Sequence, residues 1–176
     1  MDPPAYRVMR SWAVFDSPIQ NGLHTIKYRH NIGLGESIAI QMTDFVRSLN
    51  WPIEIMMPVP LGKKRLKERG YNQVGLVARP LAYRLRLNYE PDALWKVRET
   101  RSQVGLTVFQ RRENVHDAYQ ADRKIVKGKS ILIMDDVATT GSTISASTEA
   151  LLSAGAQDIY VLTIARALPH HSLDRV

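Results

Sequence analysis

Three short, mainly apolar runs constrain the fold of this chain more than any other feature: "IEIMMPV" (53–59), "SILIMD" (130–135) and "DIYVLTIA" (158–165). Runs of this length and continuity read as strands covered on both faces. Between them the apolar period switches to that of a helix. Ile38, Met42, Phe45, Val46 and Leu49 share one helical face, and Pro52 forbids continuation beyond Asn50 and Trp51. Val74, Val77, Ala78, Leu81 and Leu85 mark the inner face of a second helix, with Arg79, Arg84 and Arg86 outside. Ile144, Thr148, Leu151 and Leu152 trace a third, with Gly155 placed to end it. Strands alternating with helices imply a parallel sheet with right-handed crossovers, hence an α/β domain of the doubly wound kind. In such sheets ligands gather beyond the carboxyl ends of the strands, where "DDVATTGST" (135–143) and "PLGKKRLKERG" (60–70) both belong.

The length of 176 residues and a hydrophobic content of 44% suit one domain over 1–176, with a core from about 23 to 166 and a flexible tail over 167–176. No apolar run approaches the roughly 18 residues of a membrane span. The opening "MDPPAYRVMRSW" lacks the apolar centre of a secretory signal, so a soluble cytoplasmic protein without membrane partners is expected. The absence of cysteine excludes disulfides and thiolate metal sites within this sequence. The net charge of +7 is unevenly spread: seventeen of the 24 Lys and Arg lie between Lys63 and Lys129, while residues 130–165 hold four acids and no basic residue. That polarity points to an anionic ligand near the middle of the chain.

Asp135 and Asp136 follow a buried strand, so their oxygens are held ready for vicinal hydroxyls or a hydrated cation. Thr139, Thr140, Gly141, Ser142 and Thr143 then turn the chain into a helix, presenting N–H groups and hydroxyls at the positive end of its dipole. A five-carbon sugar with a phosphate at one end satisfies both halves. Gly141 is the residue able to take positive φ and admit a ligand close to the main chain. No G-x-x-x-x-G-K-[ST] is present, which excludes a P-loop hydrolase. Only 40 residues follow Asp136, too few for a phosphoacceptor receiver domain. "NIGLGES" neither completes G-x-G-x-x-G nor follows a strand. The five histidines lack metal-ligand spacing, and Trp12, Tyr28, Trp51 and Trp95 read as packing residues not clustered with arginines.

"ILIMDDVATTGST" resembles the phosphoribosyl diphosphate (PRPP) signature of type I phosphoribosyltransferases. "PVPLGKKRLKERGYNQ", together with Arg98, Thr100, Gln103, Leu106, Arg111, Asn114, Ala118 and Tyr119, is similar to the competence protein F (ComF) family, a likeness running from about Leu23 to Arg166. The resemblance implies a Rossmann-like fold with a central, mainly parallel sheet flanked by helices and a hood or flexible flap. It places ribose and 5′-phosphate on Asp135, Asp136, Val137, Ala138 and the Thr139–Thr143 loop, with the two aspartates catalytic. Pyrophosphate falls to Leu61, Gly62, Lys63, Lys64 and Arg65, and the flap to Arg98, Gln103, Arg111 and Asn114. Mg²⁺ is the implied cofactor, bound indirectly at Asp135 and Asp136. Arg69 reads as structural, and Asn72 and Gln73 as helix-initiating residues after a turn at Gly70.

The implied activity is transfer of phosphoribose from PRPP to an acceptor, with a non-enzymatic role in DNA uptake as the alternative. Partners are then a 5′-phosphorylated ribose ligand, DNA-uptake proteins or a second copy of the chain, with weak or no direct nucleic-acid binding. Thr139 stands where purine-salvage relatives usually carry an acid, which disfavours a 6-oxopurine acceptor. Many family members carry a four-cysteine zinc module that this sequence, lacking cysteine, does not supply.

Overall fold

A computed structural model describes residues 4–98, 118–138 and 141–167. In chain order the elements are β1 (Val8–Val14), α1 (Ser17–Arg29), α2 (Ile32–Ser48), β2 (Ile55–Pro58), α3 (Lys63–Arg69), α4 (Gly75–Leu85), β3 (Asn88–Tyr89), β4 (Leu94–Lys96), β5 (Tyr119–Ala121), α5 (Arg123–Val126), β6 (Ser130–Ala138), α6 (Ser142–Ser153) and β7 (Asp158–Arg166). Five strands form one parallel sheet in the order β1-β7-β6-β2-β3, and β4 pairs with β5 in a separate antiparallel ribbon.

The sheet is covered on both faces, as the apolar runs predict. Ile131 and Ile133 of β6 point to one core with Ile144 and Leu151 of α6 and Leu94 and Tyr119 of the ribbon. Leu132 and Met134 point to the other, with Leu23 and Ile26 of α1, Met42 and Val46 of α2, and Val77 and Leu81 of α4. This alternation is the period of two that a strand imposes, here apolar on both sides. β6 continues beyond the sequence reading to Ala138, so both aspartates lie within the strand.

Helices α2 and α4 pack unusually closely at one point. A Cβ on Gly35 would lie 2.7 Å from the Leu76 carbonyl oxygen, so only glycine admits this approach. Leu76 is also four residues before Pro80, which lacks the N–H that would close a helical bond to that carbonyl. Gly35, the second glycine of "NIGLGES", is therefore a helix-packing residue. Among the described residues, no helix is long and apolar enough to cross a membrane.

The connections out of β2 and β6 diverge. From β2 the chain passes through α3 and α4 to β3, and from β6 through α6 to β7, on opposite sides of the β2–β6 pair. The adjacent carboxyl ends of β2 and β6 thus form a topological switch point, where open α/β sheets place their ligands.

Candidate functional site

At the switch point β2 leaves the sheet before β6 does. Their pairing ends at Pro58 and Met134, and the Val59 N–H donates to the Met134 carbonyl at 2.8 Å. β6 then runs on, paired with β7 at Asp135–Thr163 and Val137–Ala165, so the acid pair stands beside the loop leaving β2. The Asn72 side-chain amide donates to the Val59 carbonyl at 2.9 Å, while its oxygen accepts from the Val74 N–H at 3.1 Å. One side chain therefore ties the start of the loop to the start of α4, giving Asn72 the positional role its sequence suggests.

Within that loop Leu61 and the buried Gly62 precede α3, and Lys63, Lys64 and Arg65 form its exposed first turn. Three cations at a helix N-terminus oppose the dipole, an arrangement an anionic ligand would relieve. On the other side, Gly141 adopts φ +74° and opens α6, whose Ser145 N–H donates to its carbonyl at 2.8 Å. The positive φ expected of Gly141 is thus observed. Among the described residues, no atom outside its chain neighbours lies within 4 Å of where its Cβ would be, and the positive φ is itself the constraint. Ser142 is buried and Thr143 partly buried. Val137 and Ala138 contribute strand backbone, with Ala138 in one core and Val137 packed against the other.

Thr139 and Thr140 lie outside the described residues, as do Gln103, Arg111 and Asn114. Arg98 stands just after the β4–β5 ribbon, where the Val97 N–H donates to the Ala118 carbonyl at 2.9 Å. Ala118 and Tyr119 are core residues.

The two aspartates differ in surroundings. Asp136 Oδ2 is 2.8 Å from Lys27 Nζ and accepts from Gln73 Nε2 at 3.1 Å, and its Oδ1 accepts from the Val137 N–H at 2.8 Å. Burial pushes its pKa up, but the Lys27 charge, the Lys27 and Gln73 hydrogen bonds and the Val137 N–H outweigh that and hold it below the ordinary value. Asp135 Oδ1 accepts from the Asp136 N–H at 2.8 Å. Burial, and then the neighbouring Asp136 charge, raise its pKa to about 7. Near neutrality the pair therefore combines a fixed carboxylate with one that exchanges a proton, able to accept from or donate to a sugar hydroxyl.

Lys27 was not among the residues singled out from the sequence. α1 presents it from the opposite wall, and a connected set of contacts holds that wall in place. Tyr71 Oη donates to the Ile26 carbonyl and accepts from the His30 N–H at 3.0 Å. The His30 ring stacks on Tyr71 at 4.2 Å between centroids. Arg69 donates to Gln73 Oε1 at 2.8 Å and lies 5.5 Å over the Tyr28 ring. Arg69 is thus structural as expected, whereas Tyr28 meets an arginine that sequence reading had not placed beside it. Trp51 does pack, against Tyr160 at 5.2 Å.

At least three of the four oxygens of the acid pair are engaged by protein groups among the described residues. No group of three or more His, Cys, Asp or Glu suited to a metal occurs among the described residues. This donor set does not make a protein cage for Mg²⁺. It fits a hydrated ion carried mainly by a ligand's own phosphates, with a carboxylate in the outer sphere.

The chain is 29% identical over 171 residues to DNA utilization protein YhgH of Salmonella typhi, covering 94% of this chain and 75% of that one. It is 33% identical over 116 residues to competence protein F of Haemophilus influenzae, covering 65% and 51%. Among solved structures, the glutamine PRPP amidotransferase from B. subtilis complexed with ADP and GMP aligns at 20% identity with a TM-score of 0.49. That alignment covers 80% of this chain but spans only 26% of the amidotransferase. A family model for the phosphoribosyl transferase domain matches residues 75–173, which include the acid pair, Gly141 and α6 but not Lys27 or Leu61–Arg65. With the strand, acid pair and glycine turn inside the matched stretch, the chain belongs to the phosphoribosyl transferase domain family and is similar to competence protein F.

Proposed function

We propose that the protein binds PRPP, or a ribonucleotide, with Mg²⁺ and transfers phosphoribose to an acceptor with release of pyrophosphate. One observation carries the reading: a glycine-initiated helix, an acid pair and a turn of three cations meet at the switch point between β2 and β6. The α6 N-terminus and the 139–143 turn receive the 5′-phosphate. Asp135 and Asp136 hold the ribose hydroxyls. Leu61, Gly62, Lys63, Lys64 and Arg65 face the pyrophosphate, where donors and cations stabilise the charge that builds as the ribose C1–oxygen bond breaks and the acceptor bond forms. Asp135 and Asp136 would hold Mg²⁺ indirectly when it is bound with the pyrophosphate, and the ion would supply further charge neutralisation there. Arg98, Gln103, Arg111 and Asn114 belong to the flap. The setting is cytoplasmic.

A second reading is favoured by the relatives called competence protein F and DNA utilization protein. Here the same site senses PRPP or nucleotide in a non-enzymatic accessory of DNA uptake, working with other uptake proteins or as a homo-oligomer. Both readings require the ligand to bind. PRPP with Mg²⁺ at a hundredfold excess over Kd adds roughly 2.7 kcal/mol of stability, read as a rise in melting temperature. An unchanged transition at millimolar PRPP in folded protein overturns both. Pyrophosphate release across a panel of bases and amines then separates enzyme from sensor.

A further inference from the structure

We infer that Lys27 is a positioning residue and the resident cation of the ribose site, making the binding of a singly phosphorylated ribose independent of divalent metal. The inference rests on the phosphoribosyl reading of the site. Its observations are the 2.8 Å contact of Lys27 Nζ with Asp136 Oδ2 and the Gln73 amide that shares the same oxygen at 3.1 Å. The side chains are only 27% and 15% exposed, so the pair lies where charge is weakly screened. Lys27 is not an incidental neighbour, because Tyr71 fixes the Ile26 carbonyl and His30 N–H on either side of it, and Arg69 packs on Tyr28 next to it. The segment that clasps α1, residues 69–73, is the one that joins the basic turn to α4. It therefore couples the placement of Lys27 to the pyrophosphate side of the site.

The chemistry follows from charge. An acid pair facing a dianionic sugar phosphate needs a positive neighbour, and an ammonium already seated on Asp136 provides it without a metal. A metal taking Asp136 Oδ2 as an inner-sphere ligand would have to displace both Lys27 and Gln73. Mg²⁺ is accordingly needed for the pyrophosphate of PRPP and not for the ribose.

The test is calorimetry with ribose 5-phosphate, with EDTA and with Mg²⁺, on the parent, Lys27→Met and Lys27→Arg, each checked for native circular dichroism. The parent should bind with the same affinity in both conditions. Lys27→Met should lose about tenfold or more in EDTA, as expected for loss of a charge-assisted contact, and recover part of it in Mg²⁺. Lys27→Arg should retain metal-independent binding. A purely structural lysine would not produce a metal requirement that its replacement by arginine abolishes. Parent binding that collapses in EDTA, or a Lys27→Met variant that matches the parent in both conditions, overturns the inference while leaving the phosphoribosyl reading intact. Failure of the parent to bind ribose 5-phosphate and Mg²⁺-PRPP overturns that reading, and this inference with it.

Discussion

Gly33 and Gly35 sit two residues apart in α2 and invite the same substitution, but the structure gives the two alanines opposite signs. A Cβ on Gly33 meets only Asn31 Oδ1 at 3.7 Å, an ordinary contact, whereas one on Gly35 meets the Leu76 carbonyl oxygen at 2.7 Å and its carbon at 3.0 Å. Both substitutions gain helix propensity, up to about 1 kcal/mol. Gly35→Ala must in addition push the α4 backbone away by several tenths of an ångström, since a main-chain carbonyl has no rotamer to escape into. Such overpacking costs about 1–3 kcal/mol. The difference between the two variants isolates the packing cost, because the propensity gain is common to both. Gly33→Ala should melt at or above the parent temperature, and Gly35→Ala several degrees below Gly33→Ala, at about 2–4 °C per kcal/mol for a chain of this size. Thermal unfolding of three proteins reads this directly. Equal stabilisation by both alanines would refute the close crossing of α2 and α4. The displacement should also reach the site, because Leu76 N–H is bonded to the Gln73 carbonyl at 3.3 Å and Gln73 holds Asp136.

The acid pair and the glycine turn should fail differently. Asp136→Asn should leave the protein folded but weaken Mg²⁺-PRPP binding and, in an active enzyme, cost roughly a hundredfold in turnover, as calorimetry and pyrophosphate release will show. Gly141→Val places a β-branched residue at φ +74° and should abolish ribose 5-phosphate binding; unchanged binding would remove the phosphate-loop assignment. The pH dependence of stability separates the two aspartates. Asp135, with its pKa raised from 3.8 to about 7, contributes stability that is full below about pH 4 and lost as pH rises to 7. Asp136, with its pKa lowered, contributes stability present above about pH 4 and lost below it. Denaturant melts should therefore show Asp135→Asn removing the decline between pH 4 and 7, whereas Asp136→Asn should reduce it only in part, because burial, the larger cause of the raised Asp135 pKa, remains.

How legible each element was in the sequence follows from its burial. β6 and β7, α2, α4 and α6 carry long apolar patterns because the sheet covers them, and their period could be read. β1 was not anticipated, since "VMRSWAV" is a half-buried edge strand broken by Arg10 and Ser11. α1 buries only Leu23 and Ile26, and α3 buries nothing, so neither shows a stripe. Asp135, Asp136 and Gly141 were readable as chemistry because strand, acids and turn are contiguous. Lys27 was not, because it reaches Asp136 across 109 residues of chain, and no local pattern marks such a pairing.

The sheet order also bears on how the molecule assembles. β1 pairs with β7, Val8 beside Tyr160 and Val14 beside Arg166, so one of the earliest strands to be made is hydrogen-bonded to the last strand of the sheet. Contacts of such wide sequence separation are slow to form, because the loop between them must be closed before they return any stabilisation. During synthesis β2, α4 and β3 can dock soon after they emerge, whereas β1 must wait for residues 158–166. α1 follows β1 directly and carries Lys27, so the cationic wall of the site should be the last part of it to set. Until then the nascent chain presents an unpaired β1, the kind of exposed strand edge that holding chaperones recognise.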